Sequence, residues 1–196
     1  MNATIFNNEP NTHTKNKIHP QKFALWIACA SIVMMFVGFT SAFVVRRAAG
    51  NWLEFDLPNL FFWNAGVIIV SSLVLIACQR AFRKNNFKLY KGLLVTGFLM
   101  GIAFVVLQYE AWMAMMDSGI YMDGNPAGSF VYVISGVHAA HVLGGIVALI
   151  AALVHAFTLR PFVTKARIHR LDLTVTYWHF VGGLWLYIIF FLVLNS

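Results

Sequence analysis

Five long apolar stretches separated by short polar connections organise the chain: 23–45, 58–78, 92–116, 128–157 and 175–194. Each has the roughly 20 apolar residues that let an α-helix cross a hydrocarbon core ~30 Å thick. None shows the ten-residue alternation of a membrane β-strand. The pattern predicts an all-α integral membrane protein, a bundle of five transmembrane helices. The first stretch is too long for a signal-peptide core, and no small-residue cleavage site follows it, so it is expected to be a retained helix. Residues 1–21 are polar and rich in asparagine, and are expected to form a flexible tail. Residues 22–196 then make one five-helix domain. The third and fourth stretches are joined by a short connection containing Asp123-Gly-Asn-Pro-Ala-Gly128, a turn-forming run, which makes them antiparallel neighbours.

Charge gives the bundle a direction. Lys15, Lys17 and Lys22 precede the first stretch; Arg80, Arg83, Lys84, Lys88 and Lys91 follow the second; Arg160, Lys165, Arg167 and Arg170 follow the fourth. The opposite connections hold only Arg46 and Arg47. Twelve against two, alternating correctly across five helices, places the N-terminus in the cytoplasm and the C-terminus outside. Trp26, Tyr90, Tyr177 and Trp178 fall at inner helix ends, and Trp63, Tyr109, Trp112 and Tyr132 at outer ones, as interfacial belts would. A net charge of +7 would suggest a nucleic-acid partner in a soluble protein. In a chain 60% hydrophobic and 11% charged it reads as topology, with the basic loops able to attract anionic lipid heads.

Candidate chemistry is sparse. There is no P-loop, dinucleotide fingerprint or nucleophile elbow, and no internal repeat of the kind transporters carry. Cys29 and Cys78 lie in apolar stretches without metal-binding spacing and read as small core residues. In Ser135-Gly-Val-His-Ala-Ala-His-Val-Leu143, His138 and His141 are three apart and share a helix face. Intramembrane histidines are functional candidates by default. With His179 of the fifth stretch they form either haem or metal ligands, or hydrogen-bonding contacts across helices or to a partner subunit. Glu110 is the one carboxylate inside a predicted span. It serves a proton path, or it lies at the outer interface beside Tyr109 and Trp112, hydrated or paired with Arg46 or Arg47. Gly136, Ala140, Gly144, Ala148 and Ala152 make a small-residue stripe on the fourth stretch, and Gly97-x-x-x-Gly101 a shorter one on the third. Such stripes let helices approach closely.

Taken together, these residues resemble a family. Ser135 to Gly145 is similar to the helix of haem-copper oxidase subunit III that carries a G-x-H-x-x-H-V pattern. Tyr177-Trp178-His179-Phe180-Val181 followed by Trp185 resembles the same subunit's Y-W-H-F-x-x-x-x-W signature. Leu107-Gln108 with Glu110 resembles its L-Q-x-x-E segment, the carboxylate standing one residue early. The resemblance covers roughly residues 23–196 and matches the short, five-helix bacterial form, which lacks the two N-terminal helices of the longer one. It implies an accessory subunit of a cytochrome c oxidase or a related quinol oxidase, in the bacterial cytoplasmic membrane. Haem and copper would lie in partner subunits, with subunit I the main contact and subunit II nearby. This chain would have no catalytic residue, metal or haem of its own. It would hold phospholipid in a V-shaped helix arrangement and sustain proton uptake next door. Gln108, Glu110, His138, His141, Trp178, His179 and Trp185 then become bundle, partner or lipid contacts. At two positions the family's carboxylates are missing: Ile32 stands in the S-E-x-x-x-F context, and Gly182 follows W-H-F-V. No nucleic-acid partner is implied.

Overall fold

The computed structural model describes residues 19–159 and 162–195. Five helices run α1 (Pro20–Ala48), α2 (Asn59–Arg83), α3 (Phe87–Asp117), α4 (Pro126–Thr158) and α5 (Lys165–Asn195). All five are long and apolar enough to cross a membrane, and no strand occurs among the described residues. The tail expected over 1–21 lies outside the described residues up to position 18, and its last two residues, Pro20 and Gln21, already belong to α1.

The helices outrun the apolar stretches. The largest difference is at α5, which starts ten residues before the expected 175 and includes the polar run Lys165 to Asp172. Hydropathy marks where the hydrocarbon ends, whereas the backbone stays hydrogen-bonded through the headgroup layer. Local signals set the true ends. Pro20 and Pro126 stand in first turns, where the missing N–H costs nothing. The Asn86 side chain caps α3 by accepting from Leu89 N at 3.2 Å. Asn125 caps α4 through Ala127 N at 3.0 Å. The same Asn125 carbonyl accepts from Leu53 N, and its amide donates to Asn51 O, so one side chain pins the 49–58 connection over the start of α4.

Helices α2, α3, α4 and α5 close a ring in which each packs on the next and α5 returns to α2. Helix α1 lies outside the ring, on α4 and α5, and touches neither α2 nor α3. It buries only Phe36, Thr40 and Phe43, one residue per turn. The described helices make a ring of four with α1 laid on its edge.

The two ends of the bundle differ in charge. At one end Arg83 grips Asp172 through both carboxylate oxygens at 3.0 Å, and Gln79 adds a bond at 3.1 Å, tying α2 to α5. His19 meets His169 there with ring centroids 4.1 Å apart, and Lys91 of α3 lies over Phe157 of α4. At the other end Arg47 reaches Glu54 and Asn195. Since the Arg83–Asp172 clasp is partly solvated, Asp172→Asn is expected to lower stability by about 1 kcal/mol or less. Thermal unfolding in mild detergent at low and high salt measures this, and the deficit should shrink with salt.

Candidate functional site

The ring is filled by aromatic side chains set into glycine notches. Trp178 of α5 is 1% exposed. A Cβ on Gly101 of α3 would stand 2.7 Å from its Cη2, and one on Gly145 of α4 would stand 3.0 Å from its Cε3. The indole N–H donates to Ser71 Oγ on α2 at 3.1 Å. One residue thus joins all four ring helices. The interfacial role expected for Trp178 is replaced by a core role, because Gly101 and Gly145 leave room for its ring between α3 and α4. Gly97, a turn before Gly101, is notched in the same way by Leu75.

One layer away, Trp185 is fully buried and stacks on His138 (centroids 4.8 Å, 25° between planes) and on Phe61 (5.9 Å). Phe104 meets both Trp185 and His138 edge-on, and Phe36 of α1 meets His138 edge-on at 6.3 Å. Neither ring nitrogen of His138 has a hydrogen-bond partner, nor does Trp185 Nε1. Gln108, also buried, pairs its carboxamide with that of Asn64 on α2 at 2.9 Å. Turning the Asn64 amide lets its Nδ2 donate to Phe104 O at 3.2 Å and its Oδ1 accept from the Gln108 backbone N–H at 3.2 Å, and with the Gln108 amide turned as well its Nε2 donates to the same oxygen. Asn64 and Ser71 escaped the sequence reading. An asparagine inside an otherwise apolar span was the signal that could have found the first.

The remaining candidates are spread out. His141 is half-buried beside Phe36 (5.9 Å) and donates from Nδ1 to Val137 O at 2.7 Å, while its own carbonyl accepts from Tyr177 OH. His179 is half-buried in a groove of about 370 Å³ between α1 and α5, together with Val33, Phe36, Gly183 and Tyr187. Among the described residues no three His, Cys, Asp or Glu side chains come together as a metal site. The three histidines surround Phe36 without converging. Glu110 is exposed on α3. Its expected pairing with Arg46 or Arg47 does not form: Arg46 donates to Gly50 O and Arg47 reaches Glu54 and Asn195. The stripe on α4 faces outward at Ala140 and Gly144, and a Cβ on Gly136 would meet nothing within 4 Å. The close approach inside the chain is at the neighbouring Gly145. Cys78 is buried, but Cys29 is partly exposed on the thinly covered α1 rather than in the core.

At the basic end a cleft of about 380 Å³ opens between the starts of α1, α3 and α5 and the end of α4. Gln21, Tyr90, His155, Arg167, Arg170 and Thr174 line it. The Arg167 guanidinium bridges Phe162 O and His155 O and lies over Phe82, which fixes one cation at the rim.

These features define a helical membrane protein whose singled-out residues Gln108, His138, Trp178 and Trp185 are occupied in packing its own core. Comparison with known proteins agrees. The family model described as cytochrome c oxidase subunit III matches residues 8–195. A probable cytochrome c oxidase subunit 3 of Mycobacterium tuberculosis is 30% identical over 184 residues, covering 89% of this chain and 87% of the relative. Cytochrome bo(3) ubiquinol oxidase subunit 3 of Buchnera aphidicola is 22% identical over 203 residues, covering 100% and 97%. A cytochrome c oxidase subunit 3 of Alkalihalophilus pseudofirmus is 24% identical over 184 residues. The chain belongs to the cytochrome c oxidase subunit III family. It is a non-catalytic subunit type of an oxidase complex, associated with other subunits of that complex.

Proposed function

We propose that this chain is the accessory third subunit of a proton-pumping terminal oxidase of the cytochrome c oxidase type in a bacterial cytoplasmic membrane. The observation that carries the reading is the family match across residues 8–195. Subunit I is its main contact and subunit II lies nearby; both carry the haem and copper chemistry. The chain sits with its N-terminus and the basic end of the bundle in the cytoplasm, following the distribution of Lys and Arg. Its work is structural: it braces the catalytic subunit, holds phospholipid and sustains proton uptake. The cleft beside Arg167 and Arg170 suits the phosphate of an anionic lipid, with the apolar wall of α4 receiving an acyl chain. Arg170→Gln is expected to reduce the anionic phospholipid retained after detergent purification at least twofold, measured by native mass spectrometry. Unchanged retention would remove this cleft as the lipid site.

A quinol oxidase is the second reading, favoured by the end-to-end similarity to subunit 3 of a bo(3) ubiquinol oxidase. The two share this chain's role and differ in the electron donor, which docks elsewhere. The test of function compares oxidase with and without this chain. Removal is expected to leave the initial rate of oxygen reduction within about twofold and to shorten the number of turnovers before inactivation. An immediate, complete loss of turnover would assign the chain a catalytic part and contradict the proposal.

A further inference from the structure

We infer that His19 and His169 form a two-imidazole site for a borderline divalent metal ion such as Zn²⁺ or Cu²⁺, and that the bound ion pins the start of α1 to α5. The two rings lie 4.1 Å apart between centroids, inclined at 45°. His19 is the exposed residue just before Pro20 at the start of α1, and His169 is half-buried in the second turn of α5. Both stand before the apolar stretches of their helices, 23–45 and 175–194, where water and dissolved ions reach them.

His169 Nε2 is shielded from solvent and has no hydrogen-bond partner among the described residues. A buried nitrogen left in that state is unfavourable and calls for a partner. His141 and His155, by contrast, each donate from Nδ1 to a carbonyl of their own helix. The His19 side chain makes no cap hydrogen bond at the start of α1, so it can turn. Neutral imidazole suits ions of this class. Two nitrogens bound to one Zn²⁺ at about 2.0–2.1 Å each stand no more than about 4.2 Å apart. Rings already in contact meet that limit by turning about their side-chain torsions. Water completes the coordination shell. Asp172, one turn further along α5, is taken up by Arg83 and Gln79, and no third His, Cys, Asp or Glu joins the pair among the described residues. Two neighbouring cations are turned to other contacts: the Lys22 ammonium lies over the Trp26 ring, and Arg170 lines the cleft beside α4.

The ion acts where the bundle is least tied. No residue of α1 from Pro20 to Met35 is buried, and the helix's buried residues, Phe36, Thr40 and Phe43, begin more than four turns in. Helix α1 packs only on α4 and α5. An ion shared by His19 and His169 adds a fixed point at the open end of this uncovered half. With two protein ligands it is held less firmly than a four-ligand structural zinc, so it exchanges with the surrounding solution.

The full-length chain, purified in mild detergent without a histidine tag and titrated with Cu²⁺, tests the site by electron paramagnetic resonance. One Cu²⁺ per chain is expected, with hyperfine splitting from two imidazole nitrogens and displacement by Zn²⁺. His19→Gln and His169→Gln should each weaken binding at least tenfold. Amide hydrogen exchange over residues 20–26 should slow at least threefold when Zn²⁺ saturates the wild type, and should not respond to Zn²⁺ in either variant. Binding that survives His169→Gln would put the ion on the N-terminal segment alone and overturn the site, as would a wild-type chain that takes up no Cu²⁺. Two-nitrogen binding that leaves exchange over residues 20–26 unchanged would overturn the pin.

Discussion

Trp178→Ala is expected to cost the bundle about 3 kcal/mol, the lower end of a large aromatic-to-alanine exchange. The lower end applies because separated helices in a bilayer rest in lipid rather than water, so lost packing counts more than transfer. The indole fills the slot between Gly101 and Gly145 and donates to Ser71, so its removal opens a cavity touching all four ring helices. Reversible unfolding in mixed detergent and dodecyl sulfate measures the loss. Ser71→Ala should cost about 1 kcal/mol, in the range of interhelical hydrogen bonds in membranes. Gly101→Leu should be as damaging as Trp178→Ala, because its Cβ alone already falls 2.7 Å from the ring. Trp178→Phe should lessen the damage of Gly101→Ala by vacating the atom it strikes. A Trp178→Ala chain as stable as the wild type would refute the slot as the keystone of the ring.

The second large effect has the opposite sign. His138→Phe is expected to stabilise the bundle by about 1 kcal/mol, while His138→Ala destabilises it. The imidazole is fully buried and neither nitrogen is bonded. A buried polar group without a partner costs about 1–3 kcal/mol. Phenylalanine keeps the stack on Trp185 and the edge contacts to Phe36 and Phe104 while removing both orphan atoms. Its slightly larger ring takes back part of the gain. Alanine loses the stack as well and leaves a hole. Oxygen reduction by the assembled oxidase should be unchanged in rate for both variants, with His138→Ala showing poorer assembly. Loss of stability in His138→Phe would show that the imidazole hydrogen-bonds a buried water or a partner group.

The fold was legible because a bilayer permits so few solutions. Five uninterrupted apolar runs have to be helices, and their number, order and antiparallel pairing follow from the runs and the short connections. Helix ends were less legible, since α5 continues to Lys165 through residues that hydropathy scores as loop. The motif residues were visible as motifs, but their roles were not. Trp178 read as an interfacial tryptophan, and only the facing glycines 101 and 145, on two other helices, turn it into a core plug. The stripe on α4 read as packing, and within the chain only its Ala140 and Gly144 are exposed, because spacing shows that residues share a face but not which neighbour that face meets. Asn64 lies 44 residues from its partner Gln108, a pairing that sequence distance conceals.

The most direct test of the central claim is an affinity pull-down of this chain from native membranes in mild detergent, with an optical spectrum and subunit identification on the same sample. The account predicts haem a or haem o bands together with a large polytopic subunit, all lost when the complex is dissociated and the chain is isolated colourless. A copper-bearing second subunit in the same sample would identify cytochrome c as the donor. A chain that comes out alone and carries haem b would contradict the account and return His138, His141 and His179 to the role of ligands.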